Sequence, residues 1–183
     1  MEIQEQDIIN KLKSGEEAGL RLLFDLYYSP LSVFAFKYFD SFEKAEDVVQ
    51  EVFIDLWERK RFQNFTGSVK SYLFTAVKNN SLKQIQKEKR FRFEEIENLS
   101  YKIIEEKFES QDLEVRKERL YSEIELLPLQ SKKVFEAIIF EKLKYAEVAE
   151  ELNISVNTVK THYSRALKQL RNSMDILIMI MLP

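Results

Sequence analysis

Three glycines and three prolines in 183 residues leave this chain few places to turn sharply. A sandwich or barrel needs a turn signal every ~10 residues. That scarcity, with apolar residues recurring at three- and four-residue steps, predicts an all-α fold. The length suits one ordinary domain or two small ones, and 45% apolar residues can supply a packed core. The spacing predicts a helix over 19–39, with Pro30 as a break, and another over 43–59. A third runs from Ser71 to about Arg92. Further helices are expected from Pro128 to about Glu141, over 145–152 and over 156–172. Phe62–Lys70 contains Gly67 and reads as a loop. Residues 93–112 are acidic and weakly periodic, with Asn98 and Ser100, and read as a linker with partial helix. The expected organisation is one domain over 1–92, a linker over 93–112, a second domain over 113–173 and an apolar tail over 174–183.

Composition narrows the class. There is no cysteine, so disulfides and thiolate metal sites are excluded, which fits a reducing cytoplasm. The opening MEIQEQDIINKLKSGEE lacks the charged-then-apolar pattern of a signal peptide. The one apolar run, Ile176–Leu182, is too short to span a bilayer, so no membrane insertion is expected. No Ser–His–Asp set, pocketed carboxylate pair or Gly-rich phosphate loop stands out. The expectation is no enzyme, no cofactor and no metal.

The net charge of −3 conceals an uneven distribution. Residues 1–58 hold 5 basic and 13 acidic residues, whereas 70–92 hold 7 basic residues and the single acid Glu88. Residues 93–118 hold 4 basic and 9 acidic residues. Residues 155–171 carry Lys160, Arg165, Lys168 and Arg171 with no acid. Two basic blocks in an acidic chain point to two separate anion-facing surfaces, although solvated helix faces would look the same by charge alone.

The strongest local signal is KYAEVAEELNISVNTVKTHYSRALKQLR, residues 144–171. Tyr145, Val148, Ala149 and Leu152 make one apolar stripe, and Asn153–Ser155 make a three-residue turn. Asn153 tolerates the left-handed conformation, and Ser155 is a good N-cap. On the following helix Val156, Val159, Tyr163, Ala166, Leu167 and Leu170 fall within an arc of about 100°. Asn157, Thr161, Ser164, Arg165 and Lys168 lie opposite, with Lys160 and Arg171 at the edge and His162 beside them as a phosphate neighbour. A major groove needs such a face: Arg, Lys and Asn for base edges, Ser, Thr and Lys for the backbone. The turn length, cap and acid-free face favour a DNA-reading helix-turn-helix over a generic helical hairpin.

The helix from Ser71 places Phe74, Val77, Ser81, Leu82 and Ile85 on one side. Asn79, Lys83, Lys87 and Arg90 line the other, with Asn80 beside them, as a rail that can follow a phosphate backbone. Phe62 and Phe65 precede it, and aromatics beside such a rail can hold unstacked bases; as isolated residues they read more readily as core. In AEDVVQEVFIDLWERKR, residues 45–61, the apolar residues are expected to bury. Asp47, Gln50, Glu51, Asp55 and Glu58 then form the outer face.

Four segments, in order, resemble the extracytoplasmic-function group of the sigma-70 family. They are LFDLYYSPLSVFAFKYF, EDVVQEVFIDLW, SVKSYLFTAVKNN and, after the linker, LPLQSKKVFEAIIFEKLKYAEVAEELNISVNTVKTHYSRALKQLR. The resemblance implies a transcription initiation factor with two helical domains, region 2 and region 4. It implies that Asp47, Gln50 and Glu51 dock on the clamp helices of core RNA polymerase. It assigns Phe65, Asn79, Asn80, Lys83 and Lys87 to the −10 element of promoter DNA. It assigns Lys160, Thr161, Ser164 and Arg165 to the −35 element, to which the polar face of the same helix adds Asn157 and Lys168, with region 4 also touching the polymerase flap. It implies an anti-sigma factor as a further partner. Tyr72 stands where Trp is frequent, Thr75 where Arg is, Lys83 where an acid is common and Asn153 where the turn usually has Gly. These departures bear on promoter preference and not on class.

Two other readings compete. A helical protein that binds only other proteins fits the acidic first segment but not the acid-free reading face. A response-regulator-like protein would need alternating strands and helices over 1–112, and none are visible. The tail offers two expectations: that the last helix extends and packs it on its own domain, or that it clasps the other domain or a partner and hides the DNA surfaces until polymerase binds.

Overall fold

The computed structural model describes residues 5–64, 68–88 and 110–182, and every regular element among them is helical. Two compact units result. The first contains α1 (Glu5–Lys13), α2 (Glu17–Phe36), α3 (Phe42–Glu58), a 3₁₀ turn (Arg61–Asn64) and α4 (Val69–Glu88). The second contains α5 (Ser110–Glu125), α6 (Leu129–Ile139), α7 (Tyr145–Glu151), α8 (Val156–Gln169), a 3₁₀ turn (Arg171–Ser173) and α9 (Met174–Met181).

In the first unit α1 buries Ile8, Ile9 and Leu12. It ends at Gly15, whose φ of 78° lets the Gly15 N–H reach the Leu12 carbonyl and the Glu16 N–H reach that of Lys11, both at 2.9 Å. This paired closure leaves α1 folded back on α2. The two backbones touch at Gly19, where an added Cβ would lie 2.8 Å from the Leu12 nitrogen and 2.9 Å from the Lys11 Cβ. Helix propensity favours Ala over Gly by ~1 kcal/mol. Overpacking against a backbone atom costs about 1–3 kcal/mol and should prevail. Gly19→Ala is therefore expected to destabilise the first unit, read by urea unfolding through Trp57, the only tryptophan; a stabilised variant would show that α1 simply moves aside.

The expected break at Pro30 does not occur, because α2 continues through it to Phe36. A proline inside a helix costs ~3 kcal/mol, since its missing N–H leaves a carbonyl unpaired one turn back. Here Leu31, Val33, Phe34, Ala35 and Phe36 are all fully buried, so this half of α2 is enclosed on every side, and the burial outweighs the penalty. Phe34 packs edge-on to Phe74 of α4 and Phe36 edge-on to Phe42 of α3, at centroid separations of 5.0 and 5.4 Å. After α3, Lys60 takes a φ of 49° and the chain enters the 3₁₀ turn. Asp55 accepts from the Nε of both Arg59 and Arg61 at 2.6 Å. Phe62 is buried in that turn against Trp57, as a core residue.

In the second unit α5, a helix that the sequence pattern does not announce, buries Leu120 and Ile124. The C-terminal apolar segment does not extend α8. The chain breaks at the 3₁₀ turn, where the Ser173 hydroxyl donates to the Glu123 carboxylate of α5 at 2.6 Å. The segment then forms α9, which packs along α5. Among the described residues no helix is long and apolar enough to cross a membrane.

Candidate nucleic-acid and polymerase interfaces

The turn before α8 is fixed by backbone hydrogen bonds. Asn153 adopts a φ of 51°; its N–H meets the Glu150 carbonyl at 3.2 Å, and the Ile154 N–H meets that of Ala149 at 3.0 Å. This closes α7 in the way Gly15 closes α1, with Asn taking the left-handed position. At the other end of α7 the Glu147 carboxylate accepts from the Lys144 N–H at 2.6 Å. Ser155 then caps α8, its Oγ accepting from the Thr158 N–H at 3.0 Å.

Val159, Tyr163, Ala166, Leu167 and Leu170 are buried, which anchors α8 along one side. Val156, expected on that side, is instead 40% exposed. On the outer side Asn157, Thr161, Arg165 and Lys168 are exposed, while Lys160 and Ser164 are half-buried. The Thr161 hydroxyl donates to the Asn157 carbonyl at 2.9 Å and so faces outward as an acceptor. Lys160 Nζ lies 5.7 Å from the centroid of the Tyr145 ring, a cation–π contact that holds it between α7 and α8. His162 is not a free neighbour of the reading face. It is half-buried, with Nδ1 3.1 Å from the Oγ of buried Ser131 on α6, and it ties α8 to α6.

On α4 the buried side is Val69, Leu73, Phe74, Val77, Ser81 and Ile85. Asn79, Lys83 and Lys87 stand exposed on the opposite side, with Asn80 half-buried beside them, so these members of the basic rail share one strip; Arg90 lies outside the described residues. Phe65 lies outside the described residues, as does the predicted linker up to residue 109.

On α3 Asp47, Gln50 and Glu51 are exposed within one arc. The expectation that the apolar residues of this helix bury fails at Ile54. It is 54% exposed and shares the arc, seven residues beyond Asp47. The surface is thus an acidic and amide patch around one aliphatic side chain, as an interface with a dry centre and polar rim requires. Sequence reasoning also missed Tyr28 of α2. Its phenol donates to Oε1 of Glu46 at 3.3 Å and accepts from Nε2 of Gln50 at 3.2 Å. Burial, with the nearby Glu46 charge adding to it against the opposing Gln50 bond, pushes this phenol up to about 12. The available signal was the i, i+4 pair Phe24–Tyr28, whose rings stack at 4.4 Å.

Residues 23–91 match the family described as Sigma-70 region 2, and residues 117–170 match Sigma-70, region 4. The chain is 26% identical over 163 residues to the ECF RNA polymerase sigma factor RpoE of Cereibacter sphaeroides, covering 87% of this chain and 88% of that one. It is 27% identical over 139 residues to RNA polymerase sigma factor SigV of Bacillus subtilis, covering 75% and 80%. With ECF RNA polymerase sigma factor SigW of Bacillus subtilis it shares 23% identity over 184 residues, covering 95% and 98%.

Proposed function

This chain belongs to the sigma-70 family of RNA polymerase sigma factors, in its extracytoplasmic-function group, and from that membership we propose how its three polar surfaces divide the work of initiation. A sigma factor is an initiation factor and not an enzyme: it binds core RNA polymerase and directs it to promoter DNA. The α3 surface, with Asp47, Gln50 and Glu51 around Ile54, docks on the polymerase clamp helices. The α4 rail, with Asn79, Asn80, Lys83 and Lys87 and with Phe65 ahead of it, takes the −10 element. The α8 face, with Asn157, Lys160, Thr161, Ser164, Arg165 and Lys168, takes the −35 element. Residues 1–92 then act as the clamp and −10 module and 113–173 as the −35 module, joined by 93–112. The work takes place in the cytoplasm, where core polymerase is, and an anti-sigma factor holds the free protein in check.

The observation that carries this reading is the outer side of α8. A capped helix, anchored along one side, exposes a basic and amide strip without a carboxylate, and such a strip can enter a major groove without repelling phosphate. The test is transcription from purified core polymerase plus this protein. Arg165→Ala is expected to reduce initiation about ten-fold or more at promoters that depend on −35, since a bidentate base contact is worth ~1–3 kcal/mol. Lys83→Ala should leave −35 binding intact and slow strand opening around −10, read by permanganate reactivity. Equal losses in both assays for both variants would refute the division of labour.

A further inference from the structure

We propose that Tyr28 is a positioning residue for polymerase docking, fixing Gln50 so that its amide presents an acceptor beside Asp47 and Glu51. The inference rests on the docking role assigned above to the α3 surface. Gln50 stands exposed on α3, yet its Nε2 is tethered at 3.2 Å to the hydroxyl of a residue on α2. That hydroxyl carries one proton, which it donates to Glu46, a carboxylate only 4% exposed. Its lone pair is left for Gln50, so the order Gln50 to Tyr28 to Glu46 sets the direction of both bonds. The ring cannot swing away. It stacks on Phe24 at 4.4 Å, and Phe24 in turn meets buried Phe53 of α3 at 5.1 Å. The phenol also keeps its proton throughout the physiological range, because burial raises it to about 12.

The consequence concerns the chemistry offered to the partner. With Nε2 turned inward, Gln50 offers Oε1 outward, next to two carboxylates that are acceptors only. The patch as a whole therefore selects a surface of Arg and Lys donors. A mobile glutamine would present donor and acceptor alternately and lose part of its rotamer freedom on every encounter.

Tyr28→Phe keeps the stacked ring and deletes only the hydroxyl. Affinity for core polymerase, measured by titration of the full chain at physiological salt, should fall about three- to ten-fold, the scale of one hydrogen bond. Gln50→Ala should cause a loss at least as large. Tyr28→Phe introduced into Gln50→Ala should then add nothing, because Tyr28 acts through Gln50. Losses that add in the double variant would overturn the proposal, as they would place the effect in folding; unfolding followed by Trp57 fluorescence reads that effect directly. Unchanged affinity in Tyr28→Phe, with Gln50→Ala and Glu51→Lys both weakened, would also overturn it while leaving the docking surface intact. If neither Gln50→Ala nor Glu51→Lys weakened binding, the docking assignment itself would fall, and the positioning role with it.

Discussion

Glu51→Lys should leave the protein folded and weaken its binding to core polymerase by about ten-fold or more. Glu51 is exposed on α3, and the same helix is anchored from its other side by Val48, Val49, Val52 and Leu56. Substitutions at exposed helix positions usually change stability by no more than ~0.5 kcal/mol. Binding is a different matter. Reversal removes one attraction and installs one repulsion against the same donor surface, beside Asp47 and Gln50. Like charges brought together across an interface cost several kcal/mol when dehydrated and less at a wet rim. A ten-fold loss, ~1.4 kcal/mol, is the modest end of that range. The loss should shrink as salt rises, because the Debye length is only ~8 Å at physiological ionic strength. A titration at physiological salt with unchanged affinity and an unchanged unfolding curve would remove α3 from the interface.

The sequence and the fold agree where the local signals were redundant. Asn153 and Ser155 each had a backbone role dictated by side-chain chemistry, and both occupy it. The strip of α4 and the anchored side of α8 follow from helical spacing alone. Agreement failed where tertiary context outweighed a local rule. Pro30 reads as a break because a proline removes a hydrogen bond; it is tolerated because the residues after it are enclosed by the core. Ile54 reads as buried because it is apolar, yet its seven-residue step from Asp47 already puts it on the outer arc, and residue type outweighed spacing in that expectation. Val156 sits at the right angle on α8 but at its first residue, and it stays 40% exposed while Val159, one turn on, is fully buried. His162 reads as a phosphate neighbour because it flanks the basic strip, whereas its ring lies against Ser131 on α6. Tyr28, Glu46 and Gln50 meet across 18 and 22 residues of chain, and no spacing rule reaches that far.

The C-terminal segment is where the sequence alone left two outcomes, and the largest stability effect is expected there. Leu177→Ala should destabilise the second unit by about 2–5 kcal/mol, the range for truncating a buried leucine whose surroundings cannot collapse. Leu177 is fully buried on α9, with Ile176 and Ile178 beside it also buried and Met174 at the start of the helix likewise. A small domain is stable by only ~5–15 kcal/mol in total. Deleting residues 174–183 should therefore do more than Leu177→Ala, since it removes every buried side chain of α9 and strips the face of α5 on which α9 packs. The expected result is a lower melting temperature of the second unit and weaker binding of free protein to −35 DNA, because α8 loses the domain that holds it. A releasable clasp would behave in the opposite way: the truncated chain would melt like the full-length protein and bind DNA more tightly without polymerase. Circular dichroism melting together with a salt-controlled DNA titration distinguishes the two. Unchanged melting with tighter DNA binding would mean that α9 is a clasp and that its packing on α5 contributes little to the fold.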